Sequence, residues 1–147
     1  MSSQPQLDLL DVFVGEWRLT SSFSPDPATA PRAHTTFDWL SGRRFLVQRW
    51  EVDHPDAPDG IAIIGFDAEK EMLLQHYFDS RGVARVYEMT FSEGVWTLER
   101  HAAPPDFSQR FTGTFGDDDN TIVGRWESAS EGSSWEHDFD LTYVRVR

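Results

Sequence analysis

Apolar and polar residues alternate along most of this sequence. Within short segments, apolar side chains recur at every second position, and turn residues such as Gly, Pro, Asp and Asn separate the segments. A period of two is typical of strands with one buried face. We predict ten strands, at Trp17–Phe23, Ala33–Leu40, Arg43–Val52, Ile61–Phe66, Met72–Phe78, Val83–Phe91, Val95–His101, Gln109–Phe115, Thr121–Ser128 and Ser134–Val146.

Helical spacing is found only before the first strand. Between Gln6 and Phe13, the apolar residues Leu9, Leu10 and Phe13 can share one face, which predicts a short N-terminal helix. The strands follow one another through connections of hairpin length, which favours an antiparallel meander. A meander of about ten strands can pair the backbone hydrogen-bonding groups of its two edge strands by closing into a barrel. We therefore predict an all-β chain, a single domain over residues 1–147 that forms an up-and-down β-barrel; a β-sandwich is the alternative.

Composition and charge exclude several classes of protein. The 147 residues include six Trp and eleven Phe but no Cys, which rules out disulfides, thiol nucleophiles and Cys-ligated metals. The net charge of −12 opposes binding to nucleic acids and to anionic membranes. No apolar run reaches the ~20 residues that a spanning helix needs, and the N-terminus does not resemble a secretory signal. We expect a cytoplasmic protein and leave open a homodimer.

The opening Gly15-Glu16-Trp17 and the final strand resemble the lipocalin-like (calycin) proteins. In that group, a basic residue of the last strand packs over the Trp of the first, and Arg145 or Arg147 would do so here by a cation–π contact. The segments Gly60–Asp67 and His76–Gly82 are similar to those of uncharacterised bacterial lipocalin-like domains. The resemblance implies a barrel with a ligand cavity and transfers no catalytic residue.

A more distant similarity is to nitrobindin, whose ten-stranded barrel binds haem through a histidine late in the chain. That family continues its opening motif with two glycines, where this sequence has Leu19 and Ser21. His137, in the last strand, is the residue that would imitate the axial ligand. The expectation is that no cofactor and no metal is bound, with haem on His137 as the alternative.

Basic and hydroxyl side chains on apolar strand faces are the candidates for ligand binding. Arg85 and Tyr87 alternate with Val83, Met89 and Phe91, so both are predicted to face the interior. An Arg offers a planar fork to a carboxylate and a Tyr offers a hydroxyl donor, which suggests an anchor for an acid. The alternative is an Arg85 that sits at the rim with its head in water.

Three further candidates complete the predicted site. Arg49 can pair with Glu51 on its own strand face. His76 alternates with Leu74 and Phe78, and His137 alternates with Trp135, Phe139, Leu141 and Tyr143, so both histidines are predicted to face inward. For each histidine, a buried hydrogen bond to a neighbouring strand is the alternative to a ligand contact.

The expected function is the binding of a small apolar or aromatic molecule, with a carboxylate as the polar group that Arg85 favours. We expect a binder rather than an enzyme. Two alternatives stay open at this point. One is an enzyme in the same cavity, either haem-dependent with nitrogen oxides or peroxide as substrate, or a cofactor-free isomerase. The other is a structural or interaction barrel that its own Trp and Phe side chains fill.

Overall fold

The computed structural model describes residues 4–22, 32–102, 106–130 and 134–147. Within these residues a short α-helix, α1 (Gln4–Asp8), continues into a 3₁₀ helix (Leu9–Phe13), and ten strands follow. The strands are β1 (Gly15–Ser21), β2 (Ala33–Trp39), β3 (Phe45–Val52), β4 (Gly60–Asp67), β5 (Met72–Asp79), β6 (Ala84–Ser92), β7 (Val95–Arg100), β8 (Ser108–Phe115), β9 (Thr121–Ala129) and β10 (Glu136–Arg145).

The strands form one closed antiparallel barrel. Each strand pairs with its neighbours in the sequence, and β1 closes the barrel by pairing with β10, with Trp17 opposite Arg145. Closure leaves no strand with an unpaired edge, which is the physical reason why a long meander is stable in this form. The prediction of a closed barrel of about ten strands with a short N-terminal helix is confirmed, and the sandwich is excluded.

The two N-terminal helices cover one end of the barrel. Leu7, Leu10 and Phe13 are buried there, and the Phe13 ring packs edge-on against Trp96 and Phe115 at centroid distances of 4.9 and 5.1 Å. Full burial of such side chains contributes about 1.5–3 kcal/mol each. The helices therefore act as an apolar plug. Among the helices of the described residues, none is long and apolar enough to cross a membrane.

Arg145 links the plug to the barrel. Its Cζ lies 4.2 Å from the centroid of the buried Trp17 ring, the contact that the lipocalin-like resemblance implies. The same guanidinium donates hydrogen bonds to the backbone oxygens of Val12 and Val14, at the end of the 3₁₀ helix. The Trp17 indole donates to the oxygen of Phe13, at 2.9 Å. Orphan carbonyls at the helix end are thereby satisfied.

Gly15 is required where β1 begins. Its φ is +136°, and a Cβ there would lie 2.4 Å from the backbone oxygen of Arg147. Any side chain would displace the C-terminal segment from β1. Arg147, the other basic residue near the end of the chain, pairs instead with Glu16, with its Nη2 2.9 Å from Oε1.

Candidate functional site

The barrel contains a cavity of about 420 Å³ toward the end that lies away from the N-terminal helices. This volume falls within the range of about 300–1,000 Å³ that is usual for small-molecule sites. The strand ends opposite the plug provide its mouth, and the middle of the barrel provides its floor. The lining residues are Leu19, Gln48, Trp50, Val52, Pro58, Gln75, Tyr77, Arg81, Arg85, Tyr87, Trp96, Leu98, Gln109, Phe111, Trp126, Phe139, Leu141 and Tyr143.

Aromatic rings form much of the wall. Trp50 and Tyr77 stack at a centroid distance of 5.3 Å, and Tyr87 packs edge-on against Trp126 at 5.8 Å. Trp126 also stacks with Phe139, at 6.4 Å. Alternate residues of each strand point into the barrel, and these side chains lie at inward positions of β3, β5, β6, β9 and β10. A planar, apolar ligand would find ring faces and ring edges on several sides of the cavity.

Four polar side chains converge near the mouth. The amide oxygen of Gln109 accepts a hydrogen bond from the Arg85 guanidinium at 3.0 Å and from the Tyr87 hydroxyl at 2.8 Å. Arg100 Nε donates to the same oxygen at 3.3 Å. Three donors, two of them cationic, therefore share one neutral acceptor. An anionic oxygen would accept hydrogen bonds from these three donors more favourably than the amide oxygen does.

The charges at the mouth are unequally paired. Arg81 forms an ion pair with the buried carboxylate of Asp79 at 2.7 Å, and Arg100 pairs with Asp106 at 3.1 Å. For Arg85, no carboxylate of the described part of the chain lies within salt-bridge distance. Arg85 instead lies over the Phe107 ring, with its Cζ 5.6 Å from the ring centroid.

Hydrogen bonding and burial fix the protonation of the groups around Arg85. Burial raises the pKa of the Tyr77 hydroxyl, and its hydrogen bond to Asp79 raises it further. Burial by itself would raise the pKa of Asp79, but the hydrogen bonds from Arg81 and Tyr77 outweigh it and hold that pKa below its usual range. Burial also raises the pKa of Tyr87, although Arg85 opposes the shift. Both tyrosines therefore remain donors at neutral pH.

The floor of the cavity contains further polar groups. Gln48 and Gln75 are buried, and the Gln48 side chain moderates the pKa of the buried Tyr143 hydroxyl. Burial raises the pKa of Tyr143, so its hydroxyl stays neutral. Trp96 separates this floor from the Phe13 side chain of the plug. Polar groups so far from solvent are costly unless they are hydrogen-bonded.

The structure brings two of the predicted site residues together. Arg85 and Tyr87 lie on the inner face of β6, two residues apart, and both line the cavity. The alternation of apolar and polar residues along β6 therefore predicts correctly which of its faces points into the barrel. The ligand role of both residues stays a prediction.

The inward orientation predicted for His76 is wrong. On β5 the cavity-lining residues are Gln75 and Tyr77, and His76 points to the exposed outer surface. Both faces of this strand carry apolar residues, so its alternation does not decide between them. On the outer surface of the barrel, the cross-strand neighbours of His76 are the apolar residues Ile63 of β4 and Val86 of β6.

The inward orientation predicted for His137 is also wrong. The pairing of β10 with β9 shifts between His137 and Phe139, so that His137 lies opposite Glu127 and Phe139 lies opposite Trp126. Such a bulge adds one residue and reverses the alternation on one side of it. His137 is exposed, and its Nε2 lies 2.8 Å from Asp140 Oδ1.

Arg49 lies outside the cavity as well. The inner face of β3 consists of Leu46, Gln48 and Trp50, and Arg49 is exposed between the last two. Its proposed role in ligand binding finds no support in this placement. Substitution of Arg49, on the outer surface, is therefore a control for substitution of Arg85 in the cavity.

The sequence interpretation missed most of the polar cavity. Gln48 and Gln75 each occupy the middle of an inward-facing apolar set, with Leu46 and Trp50 in β3 and with Leu73 and Tyr77 in β5. A polar residue between apolar ones at a spacing of two is the signal that was available. Gln109 gave no comparable signal, because its importance depends on the pairing of distant strands.

No group of three or more His, Asp or Glu side chains in the described ranges is arranged to hold a metal ion.

Residues 2–145 match the family described as "Protein of unknown function (DUF1579)", and the chain belongs to that family. None of the curated proteins matches the sequence. The fold is similar to the crystal structure of Rv2717c from M. tuberculosis, with a TM-score of 0.63 and 13% identity over 97% of this chain and 98% of that one. At this identity the similarity concerns the fold alone.

Proposed function

We propose that this barrel binds a small, largely apolar or aromatic molecule that carries a carboxylate. The ligand lies in the cavity with its acid group at Arg85 and Tyr87 and its apolar part against the aromatic wall. The observation that carries this proposal is the environment of Arg85, whose guanidinium faces the cavity mouth and hydrogen-bonds to a neutral amide oxygen.

The geometry of the donors supports an anionic group in preference to a neutral one. An ionised carboxylate has two oxygens and about four lone-pair sites, whereas the amide oxygen of Gln109 has two. The Arg85 guanidinium can donate two parallel hydrogen bonds to it. The Tyr87 hydroxyl, at present bonded to Gln109, would be a third donor. Hydrogen bonds that involve a charged group are also the stronger ones.

The rest of the cavity supports an apolar body for the ligand. Trp50, Trp126 and Phe139 offer ring faces, and Leu19 and Leu141 add aliphatic surface. This combination of an apolar wall and few polar groups is usual in small-molecule sites. It accords with a lipocalin-like mode of binding, in which one end of the barrel is closed and the ligand enters from the other.

The alternatives derived from the sequence are less well supported. The haem alternative depends on His137, whose side chain lies on the outer surface of β10. A barrel filled by its own aromatic side chains is at odds with the cavity of about 420 Å³. We therefore propose neither.

A tryptophan fluorescence titration tests the proposal. The probes are matched pairs of an acid and its amide, namely benzoate, 3-phenylpropanoate and 5-phenylpentanoate with the three corresponding carboxamides. Because Trp50, Trp96 and Trp126 line the cavity, binding changes the emission. We expect saturable changes with the acids and at least tenfold weaker binding of the amides. Equal affinity within the pairs, or no saturable response to any acid, would refute the proposal.

A further inference from the structure

Two polar atoms at the floor of the cavity have no hydrogen-bond partner within the described part of the chain. Gln75 is 4% exposed and Trp96 is 1% exposed, and both residues line the cavity. The Oε1 of Gln75 and the Nε1 of Trp96 are buried, and neither has a hydrogen-bond partner among the described residues. The unpartnered atoms are one acceptor and one donor.

Such a pair is unfavourable in the absence of a ligand. Burial removes the water that would bond to each atom, and no group of the described residues replaces it. Buried polar atoms without partners are uncommon in native proteins and call for an explanation. Their common position beside a cavity suggests that the missing partner is a molecule that enters this cavity.

We propose that the cavity floor is a second polar subsite, which takes a hydroxyl or carboxamide group at the end of the ligand remote from its carboxylate. Such a group carries both a donor for the Gln75 oxygen and an acceptor for the Trp96 N–H, a combination that a methyl, ether or halogen substituent lacks. This inference rests on the proposed function, because it concerns the other end of the same molecule.

The register of the strands sets the approximate length of the ligand. Gln75 lies directly opposite Tyr87, and Tyr87 is two residues deeper in β6 than Arg85. With a rise of about 3.3 Å per residue, the floor begins about 7 Å below the Arg85 position. A ring with the hydroxyl at one end and a short acidic chain at the other spans this distance. The ligand class is therefore the hydroxyaryl alkanoic acids.

The test compares 4-hydroxyphenyl and 4-methylphenyl alkanoates with one to four methylene groups between ring and carboxylate. The two series have nearly equal shape and the same charge, so their affinity ratio isolates the hydroxyl. For the wild type we expect the best hydroxyl acid to bind about tenfold or more tightly than its methyl partner. In Gln75→Leu and in Trp96→Phe, measured separately, the ratio falls to about one or below.

Two controls separate this inference from a loss of structure and from the proposed function. His76→Leu changes the exposed neighbour of Gln75 on the outer face of β5 and should leave the ratio unchanged. Arg85→Gln should weaken both series by the same factor and so preserve the ratio. Without ligand, Gln75→Leu should be at least as stable as the wild type, because it removes an unpartnered buried oxygen.

The possible results differ for the two proposals. Equal affinities of hydroxyl and methyl acids for the wild type overturn the floor subsite and leave the carboxylate anchor standing. A ratio that survives in both Gln75→Leu and Trp96→Phe also overturns it. Conversely, a hydroxyl preference that persists with the corresponding carboxamides, bound as tightly as the acids, supports the floor subsite and refutes the anchor at Arg85.

Discussion

The guanidinium of Arg145 lies 4.2 Å above the ring of Trp17, directly across the seam where the last strand closes on the first. Arg145 also donates to the backbone oxygens of Val12 and Val14. One side chain thus joins four parts of the molecule: the 3₁₀ helix, β1, β10 and, through hydrogen bonds to Asn120 and Asp119, the turn between β8 and β9. Closure of the barrel and attachment of its plug are consequently coupled.

Replacement of Arg145 should destabilise the protein. Arg145→Met keeps a long apolar side chain but removes the cation–π contact and the hydrogen bonds to the helix end and to the β8–β9 turn, and we expect a loss of about 1–3 kcal/mol in the free energy of unfolding. Urea unfolding measures this loss. Arg147→Met is the matched control, because the Arg147 side chain is 82% exposed and, among the described residues, forms an ion pair with Glu16 alone. Equal stabilities of the two variants would contradict the coupling.

Gly124 should not tolerate a methyl group. A Cβ there would lie 2.6 Å from Phe111 Cε1 and 2.8 Å from the backbone oxygen of Leu141, so ring and strand would both have to move. We expect Gly124→Ala to lower the free energy of unfolding by about 1–3 kcal/mol. At Gly116 the nearest atom to an added Cβ is 3.7 Å away. Gly116→Ala should therefore unfold at nearly the wild-type urea concentration, and a comparable loss there would argue against the packing explanation.

The contribution of Asp79 to stability should depend on pH in the acid range. Its pKa is lowered in the folded protein from the ordinary value of 3.8, so its ion pair with Arg81 and its hydrogen bond with Tyr77 stabilise the fold above that pH. The contribution falls as pH decreases below about 3.8 toward the folded pKa, because in this range the unfolded chain takes up a proton at Asp79 that the folded state does not bind.

Unfolding of Asp79→Asn and wild type at several pH values tests this dependence. The wild type should be the more stable at neutral pH, and the difference should shrink steadily below pH 3.8. Asp56→Asn, in an exposed loop, controls for the simple loss of one negative charge. A difference that is constant from pH 7 to pH 2.5, or that grows toward low pH, would show that Asp79 does not act through its ionised form.

Local sequence signals were sufficient to predict the barrel. Alternation over short segments gave the strands, and turn residues gave the hairpins. The number of strands and the short connections then implied closure. Gly15 and Trp17 marked the start of β1, and Arg145 packs on Trp17 as the sequence predicted.

The cavity was harder to predict, because it depends on which face of each strand turns inward. β6 has one apolar and one polar face, and Arg85 and Tyr87 were placed correctly. β5 has apolar residues on both faces, and β10 contains a bulge after His137, so alternation misplaced both histidines. Gln109 acquires its role only from the register of β6, β7 and β8, which no local pattern in the sequence encodes.

Isothermal titration calorimetry with 3-phenylpropanoate and 3-phenylpropanamide, on wild type, Arg85→Gln and Arg49→Gln, tests the central claim most directly. Both variants remove one positive charge, but Arg85 lines the cavity and Arg49 lies on the outer surface. We expect Arg85→Gln to weaken the acid by about 10- to 100-fold and the amide by no more than about twofold. Arg49→Gln should change neither. Equal losses for acid and amide in Arg85→Gln, or an unchanged affinity for the acid, would contradict the carboxylate anchor.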